Sequence, residues 1–239
     1  MKAASSAQSA LLTIVEKDNQ TKAAETRLRT LPEHEQLNTL NARRKELADE
    51  VTAASTRAAD ASVAMQRVEE DLATARTRMT RNQQRIDDGV VNDARSIGSL
   101  QAEITHLTGR IDELETKQLE LMMTIEEDQS AADTAQAARV EVETEMRALL
   151  ASRDATAAAI NEEMAQLTAE RKALADSLPA DLMALYERAA RSGSGAAELK
   201  GGRCTGCGLM LDALAHKAAL DADPDEVVRC VECGRILVR

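Results

Sequence analysis

Apolar residues recur at alternating intervals of three and four along much of the chain. The first stripe of this kind consists of Leu37, Leu40, Arg44, Leu47, Val51, Ala54, Ala58, Ala61, Met65, Val68, Leu72, Ala75, Met79, Asn82 and Ile86. An apolar a/d frame kept over about seven heptads is typical of a coiled coil. The two polar members, Arg44 and Asn82, either set the register of the helices or are exposed by local splaying.

A second stripe follows with the same spacing, and no proline interrupts either stripe. It consists of Ile97, Leu100, Ile104, Leu107, Ile111, Leu114, Gln118, Leu121 and Ile125, and continues more sparsely to Leu174. The first three dozen residues are less regular. Pro32 predicts a helix break or a helix start there, because proline cannot occupy a helix interior without loss of a hydrogen bond.

The segment between the stripes, RIDDGVVNDARSIGSL, carries turn signals. Gly89 is suited to end one helix, and Asn92 or Asp93 to cap the next. A short connection makes two long helices antiparallel neighbours, so facing residues have numbers that sum to about 186 and Leu72 lies opposite Leu114. We therefore predict an antiparallel coiled-coil hairpin over residues 1–178 with its turn near 88–94. Separate helices in a parallel or trimeric assembly would share the same periodicity.

The composition changes after residue 178. The sequence of residues 179–195 predicts a short helix and a linker, with Leu182, Leu185 and Tyr186 on one helix face. Residues 196–239 contain three candidate short strands, around 196–199, 227–229 and 235–238. The expected fold class is mostly α: a long antiparallel coiled-coil hairpin followed by a small C-terminal four-cysteine zinc ribbon.

Composition and charge narrow the classes of protein. The chain of 239 residues has no Phe or Trp and a single Tyr, so a wide aromatic core is excluded. The formal net charge of −11 disfavours general attraction to nucleic acid or to anionic membranes. No apolar run approaches the roughly 20 residues that span a bilayer. We expect a cytoplasmic protein with reduced thiols and no membrane partner.

All four cysteines lie near the C-terminus, in two C-x-x-C pairs: Cys204 with Cys207 and Cys230 with Cys233. A glycine follows each pair and permits the turn that aims both sulfurs at one ion. Two such turns predict a closed, tetrahedral, structural site for one Zn²⁺. A rubredoxin-like iron site, disulfides and redox-active thiols are the alternatives. His216 is expected to be a surface residue rather than a further ligand.

The layout resembles a bacterial zinc-ribbon family that has four cysteine ligands and an N-terminal coiled-coil hairpin. The resemblance covers the whole chain and rests on CTGCGLML, CVECGRILV, LMALYERAARSGSGAAEL and VNDARSIGSLQAEI. The last of these departs from the family pattern after Arg95, where Ser96 and Ile97 stand. The family includes a flagellar regulator that chaperones sigma-54 and a chlamydial protein linked to secretion. The resemblance implies that Cys204, Cys207, Cys230 and Cys233 bind zinc.

No catalytic motif of the P-loop, G-x-S-x-G or H-E-x-x-H kind occurs in the chain, and we expect no enzymatic activity. The favoured function is a protein-binding adaptor or chaperone-like scaffold, with the ribbon as its head and the hairpin as its handle. The alternative is a nucleic-acid-binding regulator that acts through the ribbon. Four arginines near the cysteines are candidate partner or phosphate contacts: Arg203, Arg229, Arg235 and Arg239. Periodicity leaves the oligomeric state open.

Overall fold

The structure is a computed structural model that describes residues 1–191 and 193–239. Its helices are α1 (Ser5–Arg29), α2 (Glu33–Asp87), α3 (Ala94–Asp176), α4 (Ala180–Ala190) and α5 (Ala213–Asp221). Its strands are β1 (Ala196–Lys200), β2 (Arg203–Cys204), β3 (Val228–Arg229) and β4 (Ile236–Val238). The chain divides into two compact units. We call Glu35–Leu149 the hairpin unit, and Met1–His34 together with Leu150–Arg239 the terminal unit.

The predicted fold class is confirmed: a long helical hairpin precedes a small strand region that contains the four clustered cysteines. The hairpin turn occupies the short gap between α2 and α3. Gly89 has a φ of 67°, which closes the end of α2 at little steric cost. Asp93 caps α3 by accepting a hydrogen bond from the backbone N–H of Ser96 at 2.8 Å. That bond lowers the pKa of the Asp93 carboxyl.

The a/d residues of the two stripes form the core of the hairpin unit. One cluster of buried residues contains Leu72, Ala75, Leu107, Ile111 and Leu114, and Val68 and Met79 pack against it. Ion pairs across the two helices fix the same register: Arg57 with Asp128 at 2.7 Å and Arg76 with Glu115 at 2.6 Å. These pairings agree with the predicted antiparallel arrangement.

The two polar residues of the first stripe behave differently. Arg44 is exposed and donates a hydrogen bond to Asn41 on its own helix. Asn82 is only 6% exposed and occupies a true interior position. Of the two, only Asn82 is a polar residue of the helix–helix interface.

The N-terminal helix α1 pairs with the C-terminal part of α3. Ala24 and Leu31 pack against Ile160, while Arg27 pairs with Glu163 at 2.6 Å. Pro32 stands between α1 and α2, so the predicted break falls where α1 ends and α2 begins. The helix N-terminus tolerates proline close by because its first N–H groups have no intrahelical acceptor.

The only aromatic side chain of the sequence lies at the centre of the terminal unit. Tyr186 is fully buried together with Leu11, Ile14, Leu182 and Ile236. Its hydroxyl donates a hydrogen bond of 2.7 Å to Asp18. Burial, reinforced by the Asp18 carboxylate, raises the pKa of the Tyr186 phenol. Residues 196–239 therefore share a core with α1 and α4, although the sequence predicts them as a separate piece.

The four strands form one small sheet in the order β2-β1-β4-β3. Strand β1 pairs in parallel with β4, with Ala197 opposite Leu237, and antiparallel with β2. Strand β3 pairs antiparallel with β4. The three predicted strands are present at slightly different bounds, whereas β2 has only two residues and no sequence signal marks it. The chain start joins the ribbon as well, because the N–H of Val227 donates to the carbonyl of Met1 at 3.0 Å.

Replacement of Tyr186 by Phe should lower the stability of the terminal unit. The variant keeps the buried ring but loses the hydrogen bond to a carboxylate, which costs about 1–2 kcal/mol. Urea unfolding followed by circular dichroism measures this change. Asp60→Asn is the control, because the Asp60 side chain is exposed and has no hydrogen bond or ion pair among the described residues. A Tyr186→Phe curve that overlays the wild type would contradict the role of this contact.

Candidate metal centre

The four cysteines stand on two turns of the same construction. The first knuckle comprises Arg203 to Gly208 and the second comprises Arg229 to Gly234, and both have the pattern R-C-x-x-C-G. In each knuckle the N–H of the glycine donates to the carbonyl of the first cysteine, at 2.8 and 2.9 Å. Both glycines have a φ of 74°, a left-handed conformation that favours glycine. This shared geometry directs both sulfurs of a pair to the same side.

The four sulfur atoms converge. They all lie within 4.8 Å of one another, with Cys204 Sγ 3.9 Å from Cys233 Sγ and Cys207 Sγ 4.0 Å from Cys230 Sγ. Sulfurs bound tetrahedrally at about 2.3 Å from one Zn²⁺ would lie about 3.8 Å apart. The donor set and its spacing therefore fit one tetrahedral metal ion, and all four predicted ligand residues come together.

Burial sets the protonation chemistry of the cluster. It raises the pKa of the Cys204 thiol to about 12, and it is also the main cause that raises the pKa of Cys230. Burial acts in the same direction on Cys233, but hydrogen bonds from the backbone and side chain of Arg235 and from Cys230 and Cys207 lower its pKa to about 7. A bound cation stabilises the thiolate form of coordinating cysteines, so it would offset the cost of burying these charges.

The four arginines near the cysteines donate hydrogen bonds to main-chain oxygens of the ribbon or of the segment just before it. Arg203 donates to the carbonyl of Gly208, and Arg229 donates to that of Gly234 at 2.9 Å, so each knuckle has the same internal strut. Arg235 donates to the carbonyl of Ser194 at 3.1 Å. The arginine before each first cysteine is thus part of the turn. Sequence reasoning could have found this role, because the R-C-x-x-C-G pattern occurs twice.

Arg239 closes the loop that follows α5. Its guanidinium donates to the carbonyl oxygens of Ala219, Ala222, Asp223, Pro224 and Glu226. A rigid fork with five N–H donors suits such a ring of acceptors. The structure gives all four candidate contact arginines a structural partner, and their contact with phosphate or another molecule stays a prediction.

A glycine inside the first knuckle is required by close packing. A Cβ on Gly206 would lie 2.5 Å from the Cδ of Arg235 and 2.9 Å from the Cβ of Ala197.

His216 is outside the cluster of potential ligands. Its ring lies over Gly202, where an added Cβ would stand 3.3 Å from the ring. Within the part of the chain that the structure describes, the cluster of potential ligands consists of the four cysteines.

The fold and the site define a class of protein: a coiled-coil hairpin joined to a small ribbon whose four cysteines can hold a metal ion. The chain belongs to the CT398-like coiled-coil hairpin domain family, whose model matches residues 14–194. The family match ends before the cysteines. None of the described helices has an 18-residue stretch apolar enough to cross a membrane.

Relatives of similar length cover the ribbon as well. The chain is 30% identical over 240 residues to the uncharacterised protein Rv2229c of Mycobacterium tuberculosis, with 100% of this chain and 98% of that protein covered. A structure from Mycobacterium smegmatis is 31% identical over the full length of both chains, with a TM-score of 0.87.

More distant structures share the fold. CT398 from Chlamydia trachomatis has a TM-score of 0.69 at 18% identity, with 97% of each chain covered. HP0958 from Helicobacter pylori has a TM-score of 0.52 at 16% identity, over 99% of this chain and 98% of that chain.

The purified protein should contain one zinc ion per chain, and Cys204→Ser should abolish tight binding. A serine cannot supply the fourth thiolate, and the buried site loses the cross-link between the knuckles. Elemental analysis gives the stoichiometry, and thermal unfolding with and without a chelator gives the loss of stability. Thr205→Ser is the matched control inside the same knuckle. Full zinc occupancy in Cys204→Ser would exclude the four-thiolate site.

The substitution Arg239→Lys tests whether Arg239 stabilises the protein through its planar set of hydrogen-bond donors or through its positive charge alone. Lysine keeps the positive charge but cannot reach the ring of carbonyl oxygens with a planar fork. We expect a loss of about 1–2 kcal/mol in the stability of the zinc-loaded protein, because several main-chain carbonyls of the loop lose a charged donor. Denaturant unfolding measures it. An unchanged midpoint would mean that Arg239 does not hold the loop after α5.

Proposed function

We propose that this protein is a non-catalytic adaptor or chaperone-like scaffold that binds a protein client through its ribbon. The observation that carries the proposal is a set of five exposed large apolar side chains within residues 209–231 of the small ribbon. Leu214 is 81% exposed, Val231 65% and Met210 60%, and Leu209 and Leu220 are also exposed. Large exposed apolar side chains concentrated in a small domain are typical of protein-binding sites.

One of these side chains, Val231, contributes to the lining of a shallow groove. The groove has a volume of about 470 Å³ and lies between α5 and β3. Leu211, Ala215, Ala219, Val228 and Val231 contribute its apolar lining. Such a surface suits an apolar side chain or a short helix of a client, since interface cores are depleted of charge.

The metal ion would act as a structural cross-link. Cys204, Cys207, Cys230 and Cys233 would fill all four positions of a tetrahedral ion, which leaves no open position for a substrate or water. Val231 lies within the second knuckle, and Met210 forms a β-bridge with Arg203 of the first, so the ion would restrain both side chains. A preorganised surface loses less conformational entropy on binding.

The resemblance noted in the sequence suggests the class of client. Sigma-54 or a component of a secretion system are the clients that it implies, and a role in transcription regulation or secretion follows from them. These remain proposals for this chain, because hairpin proteins of one fold can bind unrelated clients.

Affinity capture with a designed surface variant tests the proposal. The tagged chain and a Leu214→Ser/Val231→Ser variant are used as bait in a lysate of the native source, with and without nuclease. Both substitutions are at exposed positions, so zinc content and helical signal should stay unchanged. We expect a stoichiometric protein that survives nuclease and is lost with the variant, because the variant removes apolar area from the contact.

A second variant controls for general effects of removing exposed apolar residues. Leu119→Ser/Val140→Ser changes two exposed residues of α3, at 62% and 47%, and should retain the client. If both variants retain the client equally, the exposed apolar residues Leu214 and Val231 of the ribbon do not bind it. Loss of every captured molecule on nuclease treatment would favour the nucleic-acid-binding alternative. Deletion of residues 196–239 is a poor test, because it would uncover the core that α1 and α4 share with the sheet.

A further inference from the structure

A basic segment lies within the hairpin unit of this acidic chain. Residues 72–86 carry Arg76, Arg78, Arg81 and Arg85 and contain no Asp or Glu. Arg78, Arg81 and Arg85 are spaced by three and four residues, which places them on one face of α2. Like charges at this spacing repel one another and destabilise a helix. The three arginines on this face therefore suggest that negative charges from outside the segment offset their repulsion.

A groove runs beside this arginine face. Its volume is about 660 Å³, and its polar lining includes Thr74, Thr77, Arg78, Arg81, Asn82 and Arg85. Glu103 on α3 also lines the groove and pairs with Arg78. Within the described residues, Arg81 and Arg85 have no ion pair, and both are exposed. We call this region the arginine groove.

A buried amide faces the arginine groove without a partner. Asn82 is 6% exposed, and its Nδ2 atom has no hydrogen-bond acceptor within the described part of the chain. Buried amide donors are nearly always paired, because an unmet donor loses its hydration without compensation. The hydroxyls of Thr74 and Thr77 already donate to the carbonyls of Glu70 and Ala73. The free donors in the groove therefore come from Asn82, Arg81 and Arg85.

We propose that the arginine groove binds an acidic helical segment of a partner protein. Each guanidinium can hold a carboxylate through two parallel hydrogen bonds, and Asn82 Nδ2 can donate to a carboxylate or a carbonyl oxygen. A helix laid along α2 has the same rise of about 1.5 Å per residue. Carboxylates spaced by three and four residues on that helix would therefore match the arginines. This ligand class and surface go beyond the client site proposed on the ribbon.

A peptide suits the arginine groove better than a nucleic acid. The hairpin unit, residues 35–149, contains no Phe, Tyr or Trp on which bases could stack. The net charge of −11 repels a long phosphate backbone at distances beyond the groove. A short acidic helix carries fewer charges, and its carboxylates are held locally by the arginines.

Fluorescence anisotropy with a designed probe tests the proposal on the full, zinc-loaded chain. The probe is a labelled alanine-based helical peptide with glutamates spaced by three and four, and the reference peptide has glutamines instead. We expect binding of the Glu peptide that weakens between roughly 50 and 300 mM salt, because exposed ion pairs are screened. The Gln peptide should bind at least about fivefold more weakly, as expected if the carboxylates form two or more exposed ion pairs.

Two variants locate the binding. Arg81→Gln/Arg85→Gln should weaken the Glu peptide by at least about fivefold. Arg29→Gln/Arg67→Gln removes the same charge from exposed arginines outside the groove and should change the affinity by less than twofold. Asn82→Leu should raise the melting temperature by filling the helix interface with an apolar side chain, and should still weaken binding.

Several results would overturn the proposal. These are equal binding of the two peptides, equal loss with the two double-arginine variants, or no binding of the Glu peptide at any concentration. Tighter binding of a single-stranded RNA that depends on Arg81 and Arg85 would assign the groove to nucleic acid instead. If Asn82→Leu raises the melting temperature but leaves the affinity for the Glu peptide unchanged, Asn82 contributes only to the helix–helix interface and not to the binding. None of these results bears on the ribbon surface, so the two proposals fail separately.

Discussion

Burial of Tyr186 brings together segments from both ends of the chain. Its ring packs against Leu11 and Ile14 of α1, Leu182 of α4 and Ile236 of β4. A chain with one aromatic residue can build a compact core around it only by collecting aliphatic side chains from several segments. The small sheet thereby gains a support that its two- to five-residue strands could not supply alone. The four cysteines depend on that sheet, because β2 and β3 lead into the two knuckles.

The carboxylate of Asp18 extends this core into a polar network. It accepts hydrogen bonds from Tyr186 at 2.7 Å and from Arg171 at 2.6 Å, and Arg171 also reaches Glu187. Helices α1, α3 and α4 are thus joined by one half-buried carboxylate. Breaking such a network leaves charged groups without partners, which costs more than the loss of an exposed ion pair. Core and network together fix the terminal unit, and a metal ion would add a second constraint at the knuckles.

Much of this architecture could be predicted from the sequence, and the missing parts have a common cause. The a/d stripes gave the hairpin and its register, and the C-x-x-C-G repeats gave the residues of the cluster. Periodicity reports only which residues share a face, so it could not show that α1 packs on the sheet or that Tyr186 reaches Asp18, 168 residues away. The carbonyl contacts of Arg203, Arg229 and Arg239 were also missed. A basic residue near cysteines suggests a contact with phosphate. Here the guanidinium groups instead donate to main-chain carbonyl oxygens of the protein itself.

The distribution of charge determines which kinds of molecule each surface of the protein can attract. The chain as a whole carries −11, yet residues 72–86 contain four arginines and no acidic residue, and Leu214 and Val231 of the ribbon are exposed apolar residues. A uniformly acidic surface would repel acidic partners and offer little to apolar ones. Two local departures from that average give two chemically distinct surfaces on two structural units. Surfaces with different chemistry can bind different molecules without competing for the same residues, which would suit the proposed adaptor function.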